Sequence, residues 1–148
     1  MEHWELVARE RIRELVAEYA HCADSGRFDD FAGLFELAGV LEVRGDEPVR
    51  GREAIRAYLH GVGTQLAGAT TVPLIRHHVS NLKIDVVSPT EARGVCYFLA
   101  ITEHGVDHWG RYRDRYVPDG DRWVFEHRYV RTDGTTPGGW AHSRPATG

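Results

Sequence analysis

A change of periodicity near the middle of the chain limits its fold more than any other feature. In the first half, apolar residues recur at three- and four-residue intervals; from Leu74 onward, β-branched and aromatic residues dominate and are broken by turn signals. Helices first and strands second predict an α+β domain, with helices covering one face of an antiparallel sheet. Trp4, Ala8, Ile12, Leu15, Val16, Tyr19 and Ala23 form one stripe of a first helix, which Asp24-Ser25-Gly26 ends, with Gly26 as a left-handed cap. A short second helix is predicted over Asp29 to Glu36, with Phe31, Leu34 and Phe35 facing inward. A short strand follows at Val40-Leu41-Glu42-Val43, then a loop from Asp46 to Gly51, then a third helix from Arg52 to about Leu66. Four long antiparallel strands are predicted at 74–87, 91–104, 107–117 and 122–132. Their turns fall at Ser88-Pro89-Thr90, at Gly105 and at Pro118-Asp119-Gly120-Asp121. A curled sheet needs a cover on its concave face, and a pocket remains wherever the helices fail to fill that hollow.

Bulk properties narrow the class. The 148 residues suit one domain, predicted at 1–133, followed by a flexible tail at 134–148. That tail is rich in Gly, Thr and Pro, with Trp140 as its one large apolar residue, and is expected to be loose or draped over a partner. A net charge of −4 argues against a general nucleic-acid binder. No long apolar run calls for a membrane span, and the charged N-terminus lacks a signal-peptide core, so a cytoplasmic protein is expected. Cys22 and Cys96 lie in apolar stretches and read as buried, reduced thiols.

Several short stretches resemble a known family. Tyr19 and Asp24, then Phe28, Asp29 and Leu34-Phe35, resemble the opening helices of SnoaL-like proteins of the nuclear-transport-factor-2-like superfamily. Gly51-Arg52-Glu53-Ala54-Ile55 is similar to the start of that family's third helix. Arg76-His77-His78-Val79-Ser80-Asn81 resembles its first long strand, and Gly110-Arg111-Tyr112-Arg113-Asp114 with Trp123 its last hairpin. The resemblance spans roughly residues 5 to 131 and implies a cone-shaped curved antiparallel sheet packed against three N-terminal helices. It lies nearest the scytalone dehydratase and bile-acid 7α-dehydratase branch, which uses a tyrosine and an aspartate on the first helix and a histidine on the first long strand. Tyr19, Asp24 and His77 stand in the matching positions and are the catalytic candidates. That branch adds a polar group near the end of the next strand, where Thr102 or His104 falls, with Asp107 and His108 just past the turn. Leu41-Glu42-Val43 stands where scytalone dehydratase carries a further tyrosine, so its chemistry is not copied whole.

The residue types suit acid–base work. A neutral imidazole at His77 can take a proton, Asp24 can orient it, and Tyr19 can donate to a carbonyl oxygen. Such a set serves elimination, isomerisation or ring closure on a polyketide- or steroid-like carbonyl compound, as in secondary metabolism, and needs no cofactor. Bland alternatives stand beside each residue. Tyr19 lies on the core stripe, and helical phase alone places Asp24 in solvent. His77 and His78 face opposite sides of a strand, so only one can enter the cavity. His104, Asp107, His108, Tyr112 and Phe98 are candidates for contact with the substrate. His104 and His108 would lie about 13 Å apart on one continuous strand, and they lack a third partner, so no metal site is expected. Arg128 reads as one half of a structural ion pair, with contact to an anionic substrate group as the alternative, and Arg111, Arg113 and Arg115 as an outward face. Two other readings remain: a non-catalytic small-molecule-binding or dimerisation module, and an epoxide hydrolase or epoxide-opening cyclase using Asp24 with Asp107. The expected partners are a hydrophobic small molecule and other copies of the chain, as a homodimer or higher homo-oligomer.

Overall fold

The computed structural model describes residues 1–69 and 74–143. The elements run α1 (His3–Asp24), α2 (Phe28–Ala32), β1 (Phe35–Val43), β2 (Val49–Arg50), α3 (Arg52–Ala69), β3 (Ile75–Ser88), β4 (Glu91–Thr102), β5 (Gly105–Asp119), β6 (Arg122–Thr135) and α4 (Trp140–Ser143). One curved, unclosed six-stranded sheet has the order β2-β1-β6-β5-β4-β3. The predicted α+β class and the four long strands hold, but the sheet is mixed, because β1 runs parallel to β6.

That parallel pairing also corrects the second helix. It ends at Ala32 instead of running to Glu36, and Phe35 begins β1, in register with Phe125. The Phe125 N–H donates to the Leu34 carbonyl at 2.8 Å, and the Arg52 guanidinium donates to the Phe35 carbonyl at 2.7 Å. Long-range pairing with β6 thus overrides a locally helical pattern. Leu34 and Phe35 are nevertheless buried, as their apolar character required.

The core lies between the helices and the concave face. Ile12, Leu15 and Val16 of α1 and Ile55 of α3 meet Phe35, Leu41, Cys96 and Phe125 of the sheet. Along β5, Tyr112, Asp114 and Tyr116 are buried while Arg111, Arg113 and Arg115 are exposed, the period-two alternation expected of a sheet with one wet face. Val95, Tyr97 and Trp109 are exposed on the sheet's outer side. Both cysteines are free and buried, and burial pushes their thiols up to about 11. No helix among the described residues is long and apolar enough to cross a membrane.

The expected loose tail is corrected as well. Strand β6 runs on to Thr135, and the described residues beyond it fold back as α4, anchored on Asp107. A buried carboxylate that accepts backbone N–H groups gives this segment a fixed place, which its composition alone could not signal. The rest of the predicted tail, 144–148, lies outside the described residues.

Candidate active site

Two imidazoles face one apolar pocket between the sheet and the helices. Register places them: His77 on β3 stands opposite Ala100 on β4, and Ala100 stands opposite His108 on β5. Ala100 is fully buried and its methyl leaves space above it, so the two rings lean together with centroids 6.2 Å apart. Phe98, one step along the same face, stacks on Tyr112 at 4.7 Å. Tyr19, Tyr58, Val130 and Trp140 line other walls of a cavity of about 190 Å³.

Each imidazole has its own carboxylate. Asp24 is the last residue of α1, where Gly26, at φ 71°, closes the helix: Gly26 N–H donates to the Ala23 carbonyl and Arg27 N–H to that of Cys22. An acid at a helix C-terminus opposes the macrodipole, so position alone does not favour Asp24 there. Its oxygens are engaged instead by one residue: His77 Nδ1 lies 2.6 Å from Oδ1, and the His77 backbone N–H donates to Oδ2 at 2.9 Å. An ionised carboxylate only accepts, so His77 carries its proton on Nδ1 and presents Nε2 as the basic nitrogen. Both side chains are mostly buried, at 18% and 12% exposure.

The second pair forms within one strand, which simple alternation forbids. Ala100 pairs with His108 and Ile101 with Val106, so Asp107 is an extra residue in β5. This bulge turns Asp107 and His108 to the same side, and His108 Nδ1 lies 2.7 Å from Asp107 Oδ2. Burial opposes the charge on Asp107, but hydrogen bonds from His108, Ala141 N–H and Trp140 N–H outweigh it. They hold the carboxyl below its ordinary range.

Beneath the pocket sits a buried ion pair. Arg128 and Asp114 form two hydrogen bonds of 2.8 Å, and the Tyr116 hydroxyl donates to Asp114 at 2.8 Å. The Arg128 guanidinium lies 4.1 Å from the Tyr19 ring centre and 3.9 Å from that of Tyr112. Burial pushes the Tyr19 phenol up to about 12, against the pull of Arg128, and holds the Tyr112 phenol well above its ordinary value. Both phenols therefore stay protonated near neutral pH and can donate hydrogen bonds.

The sequence candidates divide accordingly. Tyr19, His77, Phe98, His108 and Tyr112 line the pocket. Asp24 and Asp107 stand behind the histidines, so Asp107, expected as a substrate contact, instead holds a side chain and the C-terminal segment. His104 is a correction: its side chain is 81% exposed, beside Glu103, because the chain turns at Gly105 (φ 103°) between β4 and β5 and leaves 103–104 beyond the strand ends. His78 faces away, as alternation required. No local signal places Trp140 in the wall or names the acid partner of Arg128; the Arg128–Asp114 pair follows only from the β5–β6 register. Among the described residues, no three His, Cys, Asp or Glu side chains come together as a metal-ligand set.

A model of the SnoaL-like domain matches residues 4–129. The chain belongs to the SnoaL-like family. This SnoaL-like chain is similar to a scytalone dehydratase candidate of Novosphingobium aromaticivorans, at 30% identity and a TM-score of 0.80, over 92% of this chain and 91% of that one. A Catenulispora acidiphila protein solved in complex with S-DNPA is 27% identical, with a TM-score of 0.74 over 84% and 92% of the two chains. A point variant of Rv3472 from Mycobacterium tuberculosis, described as of unknown function, shares the fold at 24% identity and a TM-score of 0.76, over 90% and 76%. No curated protein matches the sequence.

Proposed function

We propose that this SnoaL-like protein is a cofactor-independent acid–base enzyme, a dehydratase, isomerase or cyclase acting on a small hydrophobic carbonyl compound. The observation that carries this reading is the pair of carboxylate-held imidazoles on one apolar pocket, 6.2 Å apart. His77 Nε2 removes a proton beside the carbonyl, while Asp24 fixes the tautomer and stabilises the imidazolium. A phenol, Tyr19 by its place in the lining, donates to the carbonyl oxygen and holds the developing enolate charge. In a dehydration, His108 in its protonated form, beside His77 on the sheet wall, gives its Nε2 proton to the departing hydroxyl, which leaves as water, while the α-proton stays on His77 until solvent restores the pair. Apolar walls keep water away and strengthen each of these interactions. The cavity, at about 190 Å³, exceeds the roughly 150 Å³ hollow that accepts benzene, which suits a substrate of one or two rings better than a four-ring steroid. The similarity to a scytalone dehydratase candidate supports the same class. Epoxide opening finds less support, because Asp24 and Asp107 are each committed to a histidine and do not converge on one water. We also propose self-association through the outer sheet face, where Val95, Tyr97 and Trp109 are exposed; sedimentation of a Tyr97→Glu variant as monomer against an assembled wild type would support it.

The decisive experiment incubates the protein in D₂O with one- and two-ring β-hydroxy ketones and follows deuterium entry at the α-carbon and loss of water. Turnover should fall about 10²–10⁴-fold in His77→Gln. Equal turnover by wild type and variant would remove His77 from the mechanism, and a pocket that binds these ketones without exchange would favour the carrier reading.

A further inference from the structure

Asp107 carries more contacts than a histidine partner needs. Its Oδ2 lies 2.7 Å from His108 Nδ1 and accepts the Ala141 N–H at 3.1 Å, while its Oδ1 accepts the Trp140 N–H at 2.7 Å. The Asp107 carbonyl accepts the Thr136 N–H at 2.8 Å, so one residue fastens both ends of the segment from Thr136 to Ala141. Backbone N–H groups can only donate, and a carboxyl held below its ordinary range only accepts. His108 Nδ1 must therefore be the donor, which leaves Nε2 as its other face. The carboxylate is 2% exposed, and three charge-assisted bonds compensate its lost hydration.

The segment passes close to the carboxylate because its sequence is small there. A Cβ on Gly139 would stand 2.7 Å from Asp107 Oδ1, nearer than Cβ atoms come, and 3.0 Å from the Thr136 carbonyl oxygen, a tight contact. Gly138, at φ 84°, supplies the left-handed turn before it. The outcome is Trp140 in the pocket wall, its ring centre 6.2 Å from that of His108.

We propose that Asp107 is a positioning residue that couples the C-terminal strap to His108: the same ionised carboxylate closes the strap beside the pocket and fixes the tautomer of the second imidazole. When the strap lifts, Asp107 loses two of its three donors and the bulge loses its fastening, so His108 loses its set orientation. His108 is thereby ready only when Trp140 completes the wall. The proposal rests on the acid–base reading only where it gives His108 a part in the chemistry; the coupling itself can be measured without a substrate.

The test uses the full chain with ¹⁵N-labelled histidine, as wild type, Asp107→Asn and Gly139→Ala. Amide exchange at Trp140 and Ala141 reports the strap, and the imidazole ¹⁵N shifts of His108 report its tautomer. Asparagine replaces one acceptor oxygen with a donor, so at least one of the three donors meets another donor. Asp107→Asn should speed both amides roughly tenfold or more, the effect of losing a hydrogen bond to a charge, and move His108 away from the Nδ1–H form. Gly139→Ala leaves Asp107 intact and should open the strap by crowding, shifting His108 in the same direction. Should Asp107→Asn fail to fold, Gly139→Ala decides alone. Wild-type exchange rates in Gly139→Ala, or an opened strap with unchanged His108 shifts, would overturn the coupling. Full turnover by His108→Gln would instead remove His108 from the chemistry while leaving the coupling standing.

Discussion

The two His–Asp pairs look alike and stand side by side on the pocket, but they are built from opposite materials. In the first, acid and base are distant in sequence, and Asp24 spends both oxygens on His77, one on the ring and one on the backbone. Its geometry is set by how α1 packs on the edge strand β3. In the second, acid and base are neighbours in one strand, and Asp107 divides its oxygens between His108 and the C-terminal strap. The difference teaches that a carboxylate behind a histidine is as rigid as whatever else it holds. Asp24 holds a residue near the start of the edge strand β3, paired along its length with β4; Asp107 holds a short helix near the end of the described chain.

This contrast can be broken in several ways. The largest effect is expected from Asp24→Asn, which permits the wrong His77 tautomer and should lower kcat by about 10²–10³-fold with strap exchange unchanged. A kcat within about threefold of wild type would show that His77 needs no fixed tautomer. His108→Gln comes next, at about 10- to 100-fold in kcat if this imidazole serves the leaving oxygen; the loss should vanish for substrates that only exchange an α-proton. Trp140→Ala should act mostly on binding, raising KM about three- to tenfold with kcat little changed, since it removes wall and not chemistry. An equal fall in kcat and kcat/KM would mean that the strap takes part in the transition state.

The smallest effect sharpens the comparison through pH. The Asp107 carboxyl is depressed in the folded state, so its contribution to holding the strap is full above the ordinary aspartate value of about 3.9 and is lost as pH falls through the lower folded value. The titratable groups around it are His108 on β5 and His142 on α4, whose Nδ1 meets the Thr135 hydroxyl at 2.9 Å. Trp140 and Ala141 amides should therefore remain protected at about pH 4 and open only in stronger acid; opening between about pH 5 and 4 would contradict the depressed carboxyl.

Much of the fold was legible because its signals are local. Apolar spacing marks α1, turn residues mark each long hairpin, and alternation along β5 separates Tyr112, Asp114 and Tyr116 from the arginines between them. His77 and Asp24 were legible only through family resemblance, since helical phase alone places Asp24 in solvent. Where local rules failed, a long-range contact had prevailed: Phe35 left its helix to pair with Phe125, and Asp107 left strict alternation at a bulge.

By itself, then, the sequence determined the class of the domain, the faces of its strands and the supply of imidazoles and carboxylates, because periodicity and residue chemistry are properties of neighbours along the chain. Only the tertiary structure decided that His77, Ala100 and His108 stand abreast, that Arg128 finds Asp114, and that Trp140 returns to the pocket. Those outcomes depend on strand register and on where a bulge falls, and a shift of one residue in either would turn the same side chains to the opposite face of the sheet.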